Sequence, residues 1–204
     1  MIFLKAVVGP IETNCYIVGC ETTRECFVVD PGADPEIITE LLSRHKLVPR
    51  AIINTHAHAD HIGANADLKL PIYIHKNESP LLSDSLLNLS GYTGGAVISP
   101  VASRFIKEPE VITIGTLSLK VLDTPGHSPG GISLLGETFV ITGDALFKES
   151  IGRTDLPGSD EALLCASLKK LSILDEKLAV FPGHGPQSTI GHELRHNQWI
   201  KKLT

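Results

Sequence analysis

The chain has 204 residues, a formal net charge of −5, and 42% apolar against 20% charged residues. These proportions suit one globular domain over 1–204 with a sizeable core. The acidic balance and the lack of a Lys/Arg run argue against a nucleic-acid partner. No apolar run reaches membrane-spanning length, and Met1–Val8 lacks the features of a signal peptide, so a cytoplasmic location is expected.

Residues 2–8, 14–19 and 25–30 read as short strands, the first two joined by a Gly9-Pro10 turn. Ile37, Ile38, Leu41 and Leu42 predict a helix over 35–46, with Asp34 as cap and Pro35 in the first turn. A buried strand follows at 50–54 and a shorter one at 71–75. Residues 76–108 mix leucines with Ser, Gly and Pro. They read as a short helix near 79–88 and then a long loop, either a lid or a plain surface excursion. Strands resume at 111–114, 117–122, 132–136 and 138–142. Leu163, Leu164, Leu168 and Leu171 predict an amphipathic helix over 159–172. A strand at 178–181 and a closing helix at 189–200, with Trp199 facing inward, complete the chain. Strands grouped in each half, each followed by helices, suggest two facing sheets with helices outside. Cys15, Cys20, Cys26 and Cys165 show no Cys-x-x-Cys spacing and read as buried apolar side chains. A Cys20–Cys26 bridge is geometrically open but unexpected in a reducing compartment.

The densest stretch is His56-Ala57-His58-Ala59-Asp60-His61, three histidines and a carboxylate in six positions. Both residue types ligate zinc and other first-row metals. A strand ending in alternating ligands points His56 and His58 to one side. Asp60 is then expected to cap a helix through 62–66. Three further residues, His127, Asp144 and His184, each follow a strand beside a glycine, where the backbone can turn tightly. Together these are enough for two cations sharing one carboxylate. His192 and His196 also have a metal-compatible helical spacing, but read as solvated or core-edge histidines. Gly126-His127-Ser128-Pro129-Gly130 matches the Gly-x-Ser-x-Gly elbow. That motif requires a helix to follow, and a strand follows here, so a serine nucleophile is rejected.

In this order the seven residues resemble the metallo-β-lactamase superfamily, over essentially the whole chain. The resemblance implies a four-layer αββα sandwich with two divalent ions, zinc foremost, iron or manganese also suitable. It implies one ion on His56, His58 and His127, a second on Asp60, His61 and His184, and Asp144 between them. Asp60 and Asp144 would serve catalysis beside an activated water. Asp30, Asp123, Thr55 and Thr142 are candidates for orienting the ligands. Ala145-Leu146-Phe147 and Ser150-Ile151-Gly152-Arg153-Thr154-Asp155 resemble glyoxalase II, implying hydrolysis of S-lactoylglutathione or a similar small thioester. Arg153 stands where that family grips a glutathione carboxylate. A surface pair with Asp155 or Asp160 is its other reading. Tyr92 is a candidate contact from the 76–108 segment. Asp155 and Pro186 stand where that family has tyrosines, and the helical C-terminal domain of the larger enzymes is missing, so the short bacterial type is the better likeness.

His-Ala-Asp-His-Ile and Gly-Arg-Thr-Asp also resemble persulfide dioxygenases, which imply one iron on His56, His127 and Asp144. A lactonase, a β-lactamase or a metal-dependent nuclease would be further readings. The oligomeric state is left open.

Overall fold

The computed structural model describes residues 1–203. Its first sheet has β1 (Ile2–Val8), β2 (Thr13–Gly19), β3 (Glu25–Val29), β4 (Val48–Ile53), β5 (Ile72–Ile74) and β6 (Arg104–Phe105), side by side in that order. Helix α1 (Pro35–Arg44) crosses from β3 to its parallel neighbour β4. Two short helical turns follow β4, α2 (Ala59–Ile62) and α3 (Asn65–Leu68). The second sheet starts with β7 (Val111–Ile114), β8 (Leu117–Asp123), β9 (Ile132–Leu135) and β10 (Phe139–Gly143). A small hairpin, β11 (Leu146–Phe147) and β12 (Ser150–Ile151), leads to α4 (Glu161–Ser172). The chain then adds β13 (Ala179–Pro182) beside β10 and β14 (Ser188–Thr189) at the edge, and closes with α5 (Ile190–His196) and α6 (Gln198–Lys201).

Side-chain alternation builds the layers. In β2 every residue is buried, because Tyr16 and Val18 face the space between the sheets while Cys15 and Ile17 face the layer of α1. In β10, Ile141 faces the inter-sheet core and Val140 faces α4. Strands covered on both faces are apolar throughout rather than alternating. The expected αββα sandwich is therefore present. Among the described residues no helix is long and apolar enough to cross a membrane.

Several local expectations are corrected. Helix α1 stops at Arg44 rather than 46, and Asp34 does not cap it through its side chain. That carboxylate accepts from the Gly9 amide at 2.7 Å instead. The segment 76–108 forms no α-helix at 79–88. It forms 3₁₀ turns at Lys76–Leu82 and Ser90–Tyr92, with Pro80 inside the first. Proline removes a helical donor and clashes with the turn before it. Buried Asn88 ties this segment together, donating to the carbonyls of Leu81 and Val97 and accepting from Ser90. The closing helix breaks at Asn197, whose side chain accepts from the amides of Trp199 and Ile200. Ile200 enters the core, whereas Trp199 stays 44% exposed under the Lys202 ammonium. All four cysteines are free. Burial pushes the Cys26 thiol up to about 12. Hydrogen bonds from the Thr116 hydroxyl and amide instead lower Cys20 to about 6.

Candidate metal centre

The seven ligand candidates converge at one end of the sandwich, on loops from both sheets. Three groups have donor atoms mutually within 4.8 Å: His56, His58 and His127; His56, His61 and Asp144; Asp60, His61 and His184. His127 Nε2 lies 3.0 Å from His58 Nδ1 and 3.5 Å from Asp144 Oδ2. His61 Nε2 lies 3.3 Å from Asp60 Oδ2, 3.4 Å from Asp144 Oδ1 and 3.4 Å from His184 Nε2. Asp144 therefore stands between two triads.

The loops are held by main-chain contacts across the sheets. The carbonyl of Thr55, just after β4, accepts from the amide of Ile132 on β9 at 2.9 Å, which brings the His56 loop to the second sheet. Asn14 on β2 reaches the His184 loop, its amide donating to Gly183 at 2.7 Å and its side chain to Pro182 and Gly185. Gly183 must be small: a Cβ there would lie 2.1 Å from Asp144 Oδ1 and 2.7 Å from His61 Cε1.

The ring nitrogens that face away from the centre are mostly held. His127 Nδ1 bonds the Arg153 carbonyl at 2.9 Å, and His184 Nδ1 bonds the Ile11 carbonyl at 3.1 Å. His56 Nδ1 lies 3.2 Å from the Thr55 hydroxyl, and His61 Nδ1 lies 3.1 Å from Asp30 Oδ2. Such partners fix the tautomer and leave the other nitrogen free to ligate. Two buried atoms that face the cluster, His56 Nε2 and Asp144 Oδ1, have no hydrogen-bond partner, and neither do His58 Nε2 and His61 Nδ1 on the outer sides of their rings. Buried polar atoms are normally satisfied, so the two that face the cluster fit a bound cation. The donor set, imidazole and carboxylate without thiolate, fits zinc, iron or manganese.

Electrostatics divide the cluster. Burial, and then the neighbouring histidines, hold His56 far below the ordinary range and His58 at about 3. At His61 burial also pulls down, but the charges of Asp60, Asp144 and Asp30 outweigh it and the net shift is strongly upward. His184 is likewise raised, against its burial, by the Asp60 hydrogen bond and by Asp144. Asp60 is pushed up by burial, yet His61 and His184 bring it far below the carboxylate range.

The orienting residues are partly as expected. Asp30 is fully buried and accepts from the Thr55 amide at 2.7 Å and hydroxyl at 2.6 Å. Asp123 does not reach the centre: it accepts from the Glu108 amide, and its own carbonyl accepts from Lys170. The Thr142 hydroxyl donates to the Leu146 carbonyl. Asp60 does not cap a helix. It lies inside the first turn of α2, whose cap position is His58, and its carboxylate meets Thr13, His61 and His184. The Arg153 guanidinium is exposed and grips Asp155 through two hydrogen bonds of 2.7 and 2.8 Å. Tyr92 is 68% exposed on its 3₁₀ turn and is not among the cluster. His192 pairs with Glu149 at the surface, apart from the centre. Ser128 is buried and followed by β9, which upholds the rejection of a serine nucleophile.

Two residues escaped the sequence reading. Asn54 donates to the His61 carbonyl at 3.0 Å and accepts from Asn65. Glu78, fully buried, accepts from the Ala57 amide at 2.8 Å and from the Gly130 amide at 2.6 Å. An unusual carboxylate four residues after the short strand at 72–74 is the only sequence signal for Glu78.

Two facing sheets with a His/Asp cluster across one end define a metal-binding αββα protein. The sequence profile of the Metallo-beta-lactamase superfamily matches residues 8–184, and the chain belongs to that superfamily. A relative from Bacillus subtilis (strain 168), described as a probable metallo-hydrolase YqgX, is 38% identical over 95% of this chain and 94% of its own length. A more distant one from Haemophilus influenzae, hydroxyacylglutathione hydrolase GloC, is 29% identical over 95% of each chain. Among solved structures, BLEG-1 B3 metallo-beta-lactamase has a TM-score of 0.93 and 41% identity over 98% of this chain and 99% of its own. TTHA1623 in a di-iron-bound form has a TM-score of 0.87 and 38% identity over 96% and 99%.

Proposed function

We propose that the chain is a dinuclear metal-dependent hydrolase of small thioesters, S-lactoylglutathione being the reference substrate. The observation that carries this reading is the completeness of both triads, with Asp144 placed between them. Divalent ions there would supply Lewis acidity and a water of lowered pKa. The chain's own residues supply the rest. The Thr55, Asp30, Arg153 and Ile11 contacts orient the imidazoles. Asp60, its Oδ2 3.0 Å from His184 Nε2 and 3.3 Å from the Thr13 hydroxyl, would orient the nucleophile or accept a proton later in the reaction. Arg153 is attached to the centre through its carbonyl, so its guanidinium sits on a segment tied to a ligand. A substrate carboxylate would exchange with Asp155 for that two-pronged grip. Tyr92 has no part in this reading.

A single-iron oxidation would use only His56, His127 and Asp144 and leave the second triad without a purpose. The likeness to a solved B3 metallo-beta-lactamase favours lactam hydrolysis as the second reading. One preparation of known metal content discriminates: S-lactoylglutathione and other thioesters, a cephalosporin, and a glutathione persulfide with an oxygen electrode. Thioester turnover well above the other two is expected. Negligible thioester turnover with a full metal complement would remove the proposal.

A further inference from the structure

Glu78 is a buried carboxylate that the reaction does not need, and among the described residues no Lys or Arg pairs with it. Its two oxygens instead reach two separate loops. Oε2 accepts from the amide of Ala57, the residue between His56 and His58. Oε1 accepts from the amide of Gly130, on the loop that carries His127. Asn77 reinforces the second link by donating to the Pro129 carbonyl at 3.2 Å. Approach is close enough that a Cβ on Gly130 would meet His75 Nδ1 at 2.4 Å and Glu78 Cγ at 3.2 Å. The turn at 75–78 is thus locked against 129–130 while it holds the main chain between the first two histidines.

We infer that Glu78 is a positioning residue that sets the spacing of the His56, His58 and His127 triad and so selectively sets cation affinity in that half of the centre. The other half has different supports. His184 is held by Ile11, and Asp60 by Thr13. His61 faces Asp30. None of these contacts passes through Glu78. Carboxylate chemistry is specific to the task, since both oxygens accept from amides. Glutamine has one acceptor oxygen, and its NH₂ would face an N–H.

This inference rests on the metal-centre reading but not on the substrate. The test is zinc titration of the metal-free full chain against a competing chelator, for Glu78→Gln placed in two backgrounds. His184→Ala leaves the first triad intact, and His127→Ala leaves the second. Loss of an orienting partner weakens metal binding by roughly 10–100-fold. That loss is expected for Glu78→Gln in the His184→Ala background, with affinity held within about threefold in the other. Equal loss in both backgrounds, or a lowered melting temperature with unchanged affinity, would overturn it. Should Glu78→Gln fail to fold, exposed Asn77→Ala decides on the same readout. It should weaken the first triad alone by about 2–5-fold, and no effect there overturns the inference. A wild-type chain that takes up no zinc would overturn the metal centre itself. Zinc uptake without thioester turnover would count against the substrate alone.

Discussion

The two triads are built to different electrostatic plans. His56, His58 and His127 are almost fully buried. The first two are pressed towards the neutral form by that burial. Asp60 and His184 keep side-chain exposures of 22% and 26%, and the carboxylates around His61 and His184 raise both pKa values. His56 and His58 therefore meet a cation as neutral imidazoles. The other half stores charge, and a cation entering it must replace protons. The half that is open and charged also carries Asp60, whose carboxylate is held by Thr13, His61 and His184, so the two halves differ in both access and charge.

The largest effect should come from what the halves share. Asp144→Ala removes the carboxylate common to both and is expected to lower turnover by at least about 10³-fold, measured at saturating metal. His184→Ala breaks only the open half. It should leave one ion per chain by metal analysis and cost roughly 10²–10³-fold in kcat. Unchanged turnover there would mean that the second triad is idle. Asp30→Asn removes an acceptor shared by Thr55 and His61, and a loss of roughly 10–100-fold in metal affinity is expected from chelator competition.

Proton competition sharpens the contrast further. His61 and His184 are raised, so each stays protonated until pH climbs through its elevated value. Cation affinity at their triad should then fall as pH drops from 8 to 6. His56 and His58 are lowered and already neutral over that range, so affinity of their triad should change less. Zinc titrations at the two pH values in the single-triad variants check this, and an equal slope in both would contradict it.

The smallest effect lies outside the centre. Lys170 on α4 bonds Glu108 and the Asp123 carbonyl and holds the Glu108 carboxyl below its ordinary value. A depressed carboxyl stabilises the fold above its unfolded pKa, and that contribution is lost as pH falls through the folded one. Lys170→Met should cost about 1 kcal/mol or less at pH 7 by urea unfolding, and less again near pH 3.

What the sequence made legible was local chemistry. The His-x-His-x-Asp-His run and three glycine-flanked ligands after strands carry their own spacing, and the two-sheet layering follows from strands grouped with helices. What it hid depends on which loops meet. Asp30 and Asp123 look alike, each ending a strand before a Pro-Gly turn. Only Asp30 lies beside the end of β4, where Thr55 and His61 can reach it. Glu78 and Asn54 act on main-chain amides and carbonyls, which leave no trace in side-chain patterns. Asp60 looked like a cap because Asp before an apolar run normally is one, yet the centre claims its carboxylate. The Asn197 cap was readable by the same rule, and it is what divides the closing helix. Strands of two residues, such as β6, β11, β12 and β14, are too short to show a period.

Anomalous diffraction from crystals loaded with zinc tests the central claim most directly, because it counts the ions and shows what holds each. Two peaks are expected, one on His56, His58 and His127 and one on Asp60, His61 and His184, with Asp144 reaching both. A single peak on His56, His127 and Asp144, or density away from the second triad at full occupancy of the first, would contradict it.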